Sequence, residues 1–294
     1  MWTRCSSLKP SILNYAIMPA DIYPASIKPR FDFCVLIPCY NNFDGLVRSI
    51  NSIVYSTHRF CVVIVDDGSQ MPVTAAAIHQ YCDPKIEIYT LRLPSNSGIT
   101  HALNIGLEWI SAHIAVNYIA RLDCGDICLK DRFILQIKLL QANPSIGLVG
   151  SWCTFQSKDK SVSYLYTTPT YHSEISRAMH YRNVFIHPTV MFRANLLKVT
   201  GYYPQNYDYV EDYALFWDML KNSDTQIISK PLVICEINPA GISMSNRRGQ
   251  LLGRIRVVSQ YGTRWSHKML GTLKLWMLML LPYKFLIKLK ANLK

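Results

Sequence analysis

Two short runs of unbroken apolar residues punctuate the first quarter of the chain: Phe33 to Pro38 (FCVLIP) and Phe60 to Val65 (FCVVIV). Continuous apolarity over a few residues is the pattern of a strand buried on both faces. Between them Leu46, Val47, Ile50, Ile53 and Val54 recur at helical spacing, which predicts a helix over 44–55 with Asp44 as its N-cap. Pro72, at a first helical position, opens a predicted helix over 72–82. Ile86 to Leu91 reads as a third strand. Residues 98–112 read as a helix with Ile99, Ala102, Leu103, Leu107 and Ile110 on one face. Val116 to Ala120 is a fourth strand, 130–142 a helix, and Ile146 to Ser151 a further strand. This β-α-β-α order over residues 31–151 predicts a parallel sheet covered by helices. Right-handed crossovers place all its strand ends on one edge.

Beyond residue 151 the pattern loosens. Short strands are expected near 162–166, 188–193 and 226–236, and helices near 171–181, 193–199 and 211–222. No Gly/Ser-rich linker separates the two parts, so one compact unit is expected. Residues 1–30 hold Pro10, Pro19, Pro24 and Pro29 without a continuous apolar segment, and read as an irregular lead-in, not a signal peptide.

Composition sharpens this picture in two places. The 294 residues are 50% hydrophobic, ample for a core, and include nine cysteines. Cys34, Cys39, Cys61 and Cys153 fall in apolar runs, there is no CxxC pair, and Cys124 and Cys128 have no partner pair at zinc-finger spacing. Reduced core thiols are expected, over disulfides or a thiol metal site. The formal charge of +12 is unevenly spread. From residue 241 onward there are 11 Lys and Arg and no acid, which leaves 20 cations against 19 anions in the first 240 residues.

Three acidic clusters sit where a predicted strand ends or a helix begins. They are Asp66-Asp67-Gly68-Ser69, Asp123-Cys124-Gly125-Asp126 after Arg121, and Glu211-Asp212. Ligands of open α/β sheets bind beyond the carboxyl ends of the strands, so these carboxylates can converge on one ligand. Asp-Gly alone also signals a turn, and acids in a first helical turn also answer the helix dipole. Carboxylate oxygens suit Mg²⁺ or Mn²⁺. A neighbouring carboxylate can raise a general base into its working range. Pro38-Cys39-Tyr40-Asn41-Asn42 closes the first strand with an aromatic side chain able to stack on a base.

Taken in order, VLIPCYNN (35–42), VIVDDGS (63–69), NSGITHALNIGL (96–107), ARLDCGDICLKDRF (120–133), HPTVMFR (187–193), GYYP (201–204) and EDYALFWDML (211–220) resemble a family-2 glycosyltransferase of the GT-A fold, over roughly residues 31–236. The resemblance implies an α/β, Rossmann-like, mostly parallel sheet flanked by helices. It implies a nucleotide-sugar-binding half over 31–151 and an acceptor-binding half over 152–240. It further implies an inverting enzyme, a hexosyl- or hexosaminyltransferase of bacterial surface polysaccharide or lipopolysaccharide synthesis, with a nucleotide-sugar donor, a UDP-sugar by family tendency.

By the same resemblance Tyr40 stacks on the base and Asp67 binds its imide, with Pro38, Asn41, Asp66, Asn96, Gly98 and Arg121 around the donor. Asp123 contacts ribose or the metal-bound diphosphate, Asp126 helps hold the metal, and Asp212 is the base beside Glu211. From its place at the start of a predicted strand facing the acceptor half, His187 reads either as a buried structural histidine or as an acceptor-side contact to the acceptor or the donor phosphate. Two departures bear on the divalent Mn²⁺ or Mg²⁺. Gly125 stands where the family's Asp-x-Asp-Asp motif has its middle carboxylate. Near the position of a frequent metal-binding His the chain offers only Asn238, in Ile237-Asn238-Pro239-Ala240-Gly241. A catalytically weakened nucleotide-sugar-binding protein is therefore the alternative.

The tail, 241–294, is expected to be a basic amphipathic helical segment. Its longest uncharged stretch within 269–291, Leu275 to Tyr283, is nine residues, short of the roughly 20 that span a bilayer. A basic, Trp- and Leu-rich segment instead suits an anionic membrane surface, here through 269–294. That implies a cytoplasmic enzyme, peripheral on the inner face of the cell membrane, with a saccharide or lipid-linked acceptor. Nucleic acid is not expected as a partner, since the tail is too apolar and the body near neutral.

Overall fold

The computed structural model describes residues 16–17, 28–56, 59–238 and 246–280. Its spine is a ten-stranded sheet. The strands are β1 (Ala16–Ile17), β2 (Arg30–Cys39), β3 (Phe60–Asp66), β4 (Glu87–Arg92), β5 (Ala115–Arg121), β6 (Ile127–Cys128), β7 (Ile146–Ser157), β8 (Ser163–Tyr166), β9 (Met191–Arg193) and β10 (Asp224–Ile237). The spatial order is β1-β4-β3-β2-β5-β9-β7-β10-β6, with β8 beside β7. The long ladders β4/β3, β3/β2, β2/β5 and β7/β10 are parallel, and β9 runs antiparallel between β5 and β7.

Strict alternation explains why β2 is apolar on both faces from Phe33 onward, and β3 from Phe60 to Val65. Cys34 and Leu36 of β2, with Cys61, Val63 and Val65 of β3, point into one core; Phe33, Val35, Ile37, Phe60, Val62 and Ile64 point into the other. Each fully buried side chain of this size stabilises by roughly 1.5–3 kcal/mol. The first core is closed by α3 (Ile99–His113) and α7 (Glu211–Asn222), and the second by α1 (Phe43–Asn51), α2 (Ala75–His79) and α4 (Arg132–Ala142). Gly106 lets α3 lie close on the sheet, since a Cβ there would stand 2.4 Å from Leu36 Cδ1.

Element boundaries shift where capping decides them. The N-cap of α1 is Asn42, whose side chain accepts from Gly45 N–H, and not Asp44. Thr74 caps α2 by accepting from Ala77 N–H, so that helix starts after Pro72. His187 opens a 3-10 turn, His187–Thr189, where a strand from 188 was expected. β7 runs on to Ser157, and the two-residue strand β6 pairs with β10. The second part holds α5 (His172–Met179) and α6 (Leu197–Thr200). Two tail helices follow, α8 (Arg247–Tyr261) and α9 (Trp265–Leu280), on the core closed by α3 and α7. The expectations for residues 1–15, 18–27, 239–245 and 281–294 lie outside the described residues. The eight described cysteines are free thiols, seven of them buried.

Candidate active site

Strand order locates the site. From β2 the chain steps outward to β3 and β4, then returns to place β5 on the other side of β2. Ligands of such sheets bind at this reversal, beyond the strand ends. Here those ends carry Cys39-Tyr40 and Arg121-Asp123.

The floor is a buried polar lattice. Arg121 is fully enclosed; it donates to Leu36 O, to Leu122 O at 3.3 Å, to Asp123 Oδ1 at 2.7 Å and to His187 Nε2 at 3.3 Å. His187 Nε2 also lies 2.8 Å from Tyr203 Oη, and burial with the Arg121 charge pushes the imidazole well below its usual range. A neutral His187 therefore accepts at Nε2 and braces Arg121 and Tyr203. Arg132, equally buried, donates to Arg121 O at 2.6 Å and to Gln136 Oε1 at 3.2 Å. Ser49 ties the Asp123–Asp126 cluster down, accepting from Gly125 N–H at 2.9 Å and donating to Asp126 O at 2.8 Å. Ser49, Arg132 and Gln136 were not anticipated, because a polar residue on a helix reads as solvated until its neighbours are known.

Several anticipated donor contacts turn inward. Asp66 is 0% exposed and its oxygens accept from Ser69 N–H, Val73 N–H and Arg92 Nη1, so it builds the loop beneath the site instead of lining it. Asp67 is buried, accepts from Ser97 N–H at 2.7 Å and Gly98 N–H at 3.0 Å, and is raised chiefly by burial. Gly68 (φ 74°) is required there, since a Cβ would stand 2.4 Å from the Ser95 carbonyl carbon. Asn41 (φ 49°) clasps two loops, its N–H donating to Ser69 Oγ and its Oδ1 accepting from Gln70 N–H. Pro38 is half-buried within β2. Tyr40 and Asn96 are exposed at the rim, and Gly98 (φ 89°) precedes α3.

Glu211 and Asp212 stand in the first turn of α7. Asn183 Nδ2 donates to Asp212 Oδ2 at 2.9 Å, and Tyr213 N–H donates to Oδ1. Asp212 is closely ringed by protein yet still partly open to solvent. Burial pushes it up to about 6 against the opposing Arg254 charge from α8, and the Asp123 charge adds to the rise. Glu211 is 6% exposed, its Oε2 has no hydrogen-bond partner among the described residues, and burial followed by the Asp212 charge pushes it to about 8. The helix dipole contributes about 0.3–1 kcal/mol, less than one pKa unit, so burial wins.

The expected divalent site does not form from these side chains. Asp123 Oδ1 is spent on Arg121. Asp126 is 6% exposed, accepts from Glu236 N–H at 2.8 Å, and is pushed well up by burial and the Asp123 charge toward its neutral form. Gly125 supplies no donor, and the place of its absent Cβ lies 3.6 Å from Glu236 Oε2, itself paired with Arg48 at 3.0 Å. Among the described residues no three His, Cys, Asp or Glu side chains converge on a metal position. Protein side chains alone therefore do not make the site; what they offer an ion is the second oxygen of Asp123.

Comparison with known proteins follows the same lines. Residues 34–200 match the family described as Glycosyl transferase family 2. The amylovoran biosynthesis glycosyltransferase AmsE of Erwinia amylovora is 27% identical over 222 residues, 74% of this chain and 80% of that protein. The O-antigen biosynthesis glycosyltransferase WbnJ of Escherichia coli is 26% identical over 176 residues, 58% and 66% of the two chains. Among solved structures, S. aureus TarS 1–349 in complex with UDP-GlcNAc superposes with a TM-score of 0.59 at 18% identity, over 84% of this chain and 72% of that one. The mannosyltransferase PcManGT of Pyrobaculum calidifontis, in complex with GDP-Man and Mn²⁺, gives 0.55 at 17% identity, over 94% and 83%. With the same fold, and more than half its length matched, the chain belongs to glycosyl transferase family 2 and is a glycosyltransferase with the GT-A fold.

Proposed function

We propose that this glycosyltransferase inverts the anomeric centre of a nucleotide-diphosphate sugar, with Asp212 as the general base. The observation that carries this is the setting of Asp212: partly open, oriented by Asn183, and near enough to Asp123 to feel its charge. A carboxylate pushed up to about 6 is both ionised and basic near neutral pH. Asp212 takes the proton from an acceptor hydroxyl, the oxygen attacks the anomeric carbon, and the nucleoside diphosphate leaves from the opposite face. Tyr40, exposed at the rim, stacks on the base. Asp123 keeps one oxygen beside the Arg121 pair for the ribose. His187 acts from the floor of the acceptor side, through Tyr203.

A UDP-sugar is the favoured donor, supported by the likeness to TarS, whose complexes hold UDP and UDP-GlcNAc. A saccharide acceptor in surface polysaccharide synthesis is supported by the relatives named for amylovoran and O-antigen. Carriage of that acceptor on a lipid, at the inner face of the cell membrane, is supported by the acid-free, apolar tail. The absence of a carboxylate at Gly125 and the inward turn of Asp126 favour one second reading, a nucleotide-sugar-binding protein with weakened catalysis.

A donor screen separates the two. Purified protein with a panel of nucleotide sugars, in Mn²⁺, Mg²⁺ or EDTA, should release nucleoside diphosphate from one donor and lose that release in Asp212→Asn. Donor binding by calorimetry without release, with or without saccharide acceptors, would favour the binding protein.

A further inference from the structure

The helix α9 carries an exposed apolar face. Trp265, Met269, Leu273, Trp276, Met277 and Leu280 are between 47% and 82% exposed. At 3.6 residues per turn they fall within an arc of about 120°. Opposite the middle of that arc lies Gly271, packed so tightly on the domain that a Cβ would stand within contact distance of the His180 carbonyl. Leu275, 2% exposed, lies beside Gly271 on the same inner face. The helix is thus anchored by one side, and the outward direction of its apolar side is set.

Exposed patches of this kind mark interaction surfaces, and the charge around this one selects the partner. On the helical wheel Lys268 and Lys274 flank the arc, each about 60° beyond its edge. Lys274 leans over the Tyr181 ring at 5.8 Å. No acid occurs anywhere from residue 241 to the end. Apolar arc, paired tryptophans and flanking lysines match a helix lying in the interface of an anionic bilayer, with indole rings at headgroup level. The helix has 16 residues, and no described helix is long and apolar enough to cross a membrane.

We propose that the outward arc of α9 is the membrane-docking face of this protein, and that it binds anionic lipid by inserting its apolar side chains. This relocates the contact that the sequence assigns to 269–294 as a whole. Insertion by the 265–280 helix governs affinity, and lysine attraction adds to it. The same tail packs on the catalytic segment. Gly253 of α8 lies against Val210 (2.6 Å from a Cβ to Cγ2), one residue before Glu211, and Gly249 lies against Tyr209. Docking through α9 therefore sets the mouth of the site at a defined height above the lipid. The face stands independently of the transferase reading; only its use, to meet a lipid-carried acceptor, rests on it.

The test uses the full chain, vesicles of phosphatidylcholine with and without phosphatidylglycerol, and a triple variant, Met269→Glu, Leu273→Glu and Met277→Glu. Wild-type protein should sediment with the anionic vesicles and remain bound at roughly 0.5 M salt, where charge attraction is screened beyond a few ångströms. Brominated acyl chains should quench its emission, and Trp265→Phe with Trp276→Phe should remove that quenching. The triple variant, with wild-type circular dichroism, should lose tenfold or more of its vesicle partition and keep its nucleotide affinity. Sedimentation of the triple variant like wild type, or full release of wild type by salt, would overturn the proposal. So would a lipid-free dimer that the triple variant converts to monomer, since a second copy would then cover the arc. Nucleotide affinity is read separately, so loss of docking and failure of the transferase reading give different results.

Discussion

Asp212 and Glu211 are adjacent in the sequence and differ in circumstance. Asp212 has Asn183 and the Tyr213 N–H, and the Arg254 charge opposes its rise; Glu211 has a buried oxygen without a partner among the described residues. Replacing Asp212 with Asn removes a general base and should lower turnover by roughly 10²–10⁴ with little change in donor affinity, measured by diphosphate release and calorimetry. The acid limb of the wild-type rate profile should rise through a pH of about 6. For Glu211 the folded-state pKa lies above its ordinary value, so the native state binds the extra proton. Stability is then greatest in acid and falls as pH rises from about 4.5 to about 8. Glu211→Gln should therefore raise Tm more at pH 8 than at pH 5. An equal effect at both would show that Glu211 ionises without cost.

Asp66, Asp67 and Asp123 teach a related lesson at the same scale. Each ends or follows a strand, and in the sequence nothing separates a carboxylate that holds backbone N–H groups from one that faces a ligand. Only Asp123 keeps appreciable exposure, with 36% of its side chain open.

The elements themselves follow from local rules where those rules are strong. Period-two burial in β2 and β3, and the 3.6-period face of α3, were legible because both faces or one face must meet core. Helix starts were less legible, since Asp44 and Asn42 are both competent caps and the choice is geometric. Asn42→Ala should cost about 1 kcal/mol in urea unfolding, because it also releases the Cys124 carbonyl. The two tail helices depend on close approach. Gly271→Val would drive a side chain into the His180 carbonyl and should lift α9 from the domain, seen as faster proteolysis around 265–280 with the remaining chain intact. A protease pattern unchanged from wild type would show that α9 is held elsewhere.

For the whole molecule the reversal of strand order between β2 and β5 gathers the functional residues onto one edge, and β10 returns there with Glu236. A Cβ at Gly125 would stand 3.6 Å from Oε2 of Glu236, which is paired with Arg48. With Asp126 turned inward and Asp123 paired, chelation by EDTA should change nucleotide affinity by less than roughly threefold, by calorimetry. A tenfold loss would show that the diphosphate itself recruits an ion to the free oxygen of Asp123. The same global arrangement packs the two tail helices, which carry six of the eleven tail cations, on the core closed by α3 and α7, with the apolar arc of α9 facing out.

The amino-acid sequence by itself determined the order of strands and helices, the two-sided burial of the central strands, the concentration of cations in the tail, and the family. These follow from short-range periodicity, local composition and motif order, which do not depend on knowing what lies opposite. Tertiary structure alone decided which carboxylates face the mouth and which hold loops, that His187 is neutral and braced, and which side of α9 is left bare. Those outcomes are set by pairings such as Arg121 with His187, Ser49 with Asp126, and Gly271 with His180. Partners 66 to 91 residues apart meet only when the sheet and its covering helices are in place.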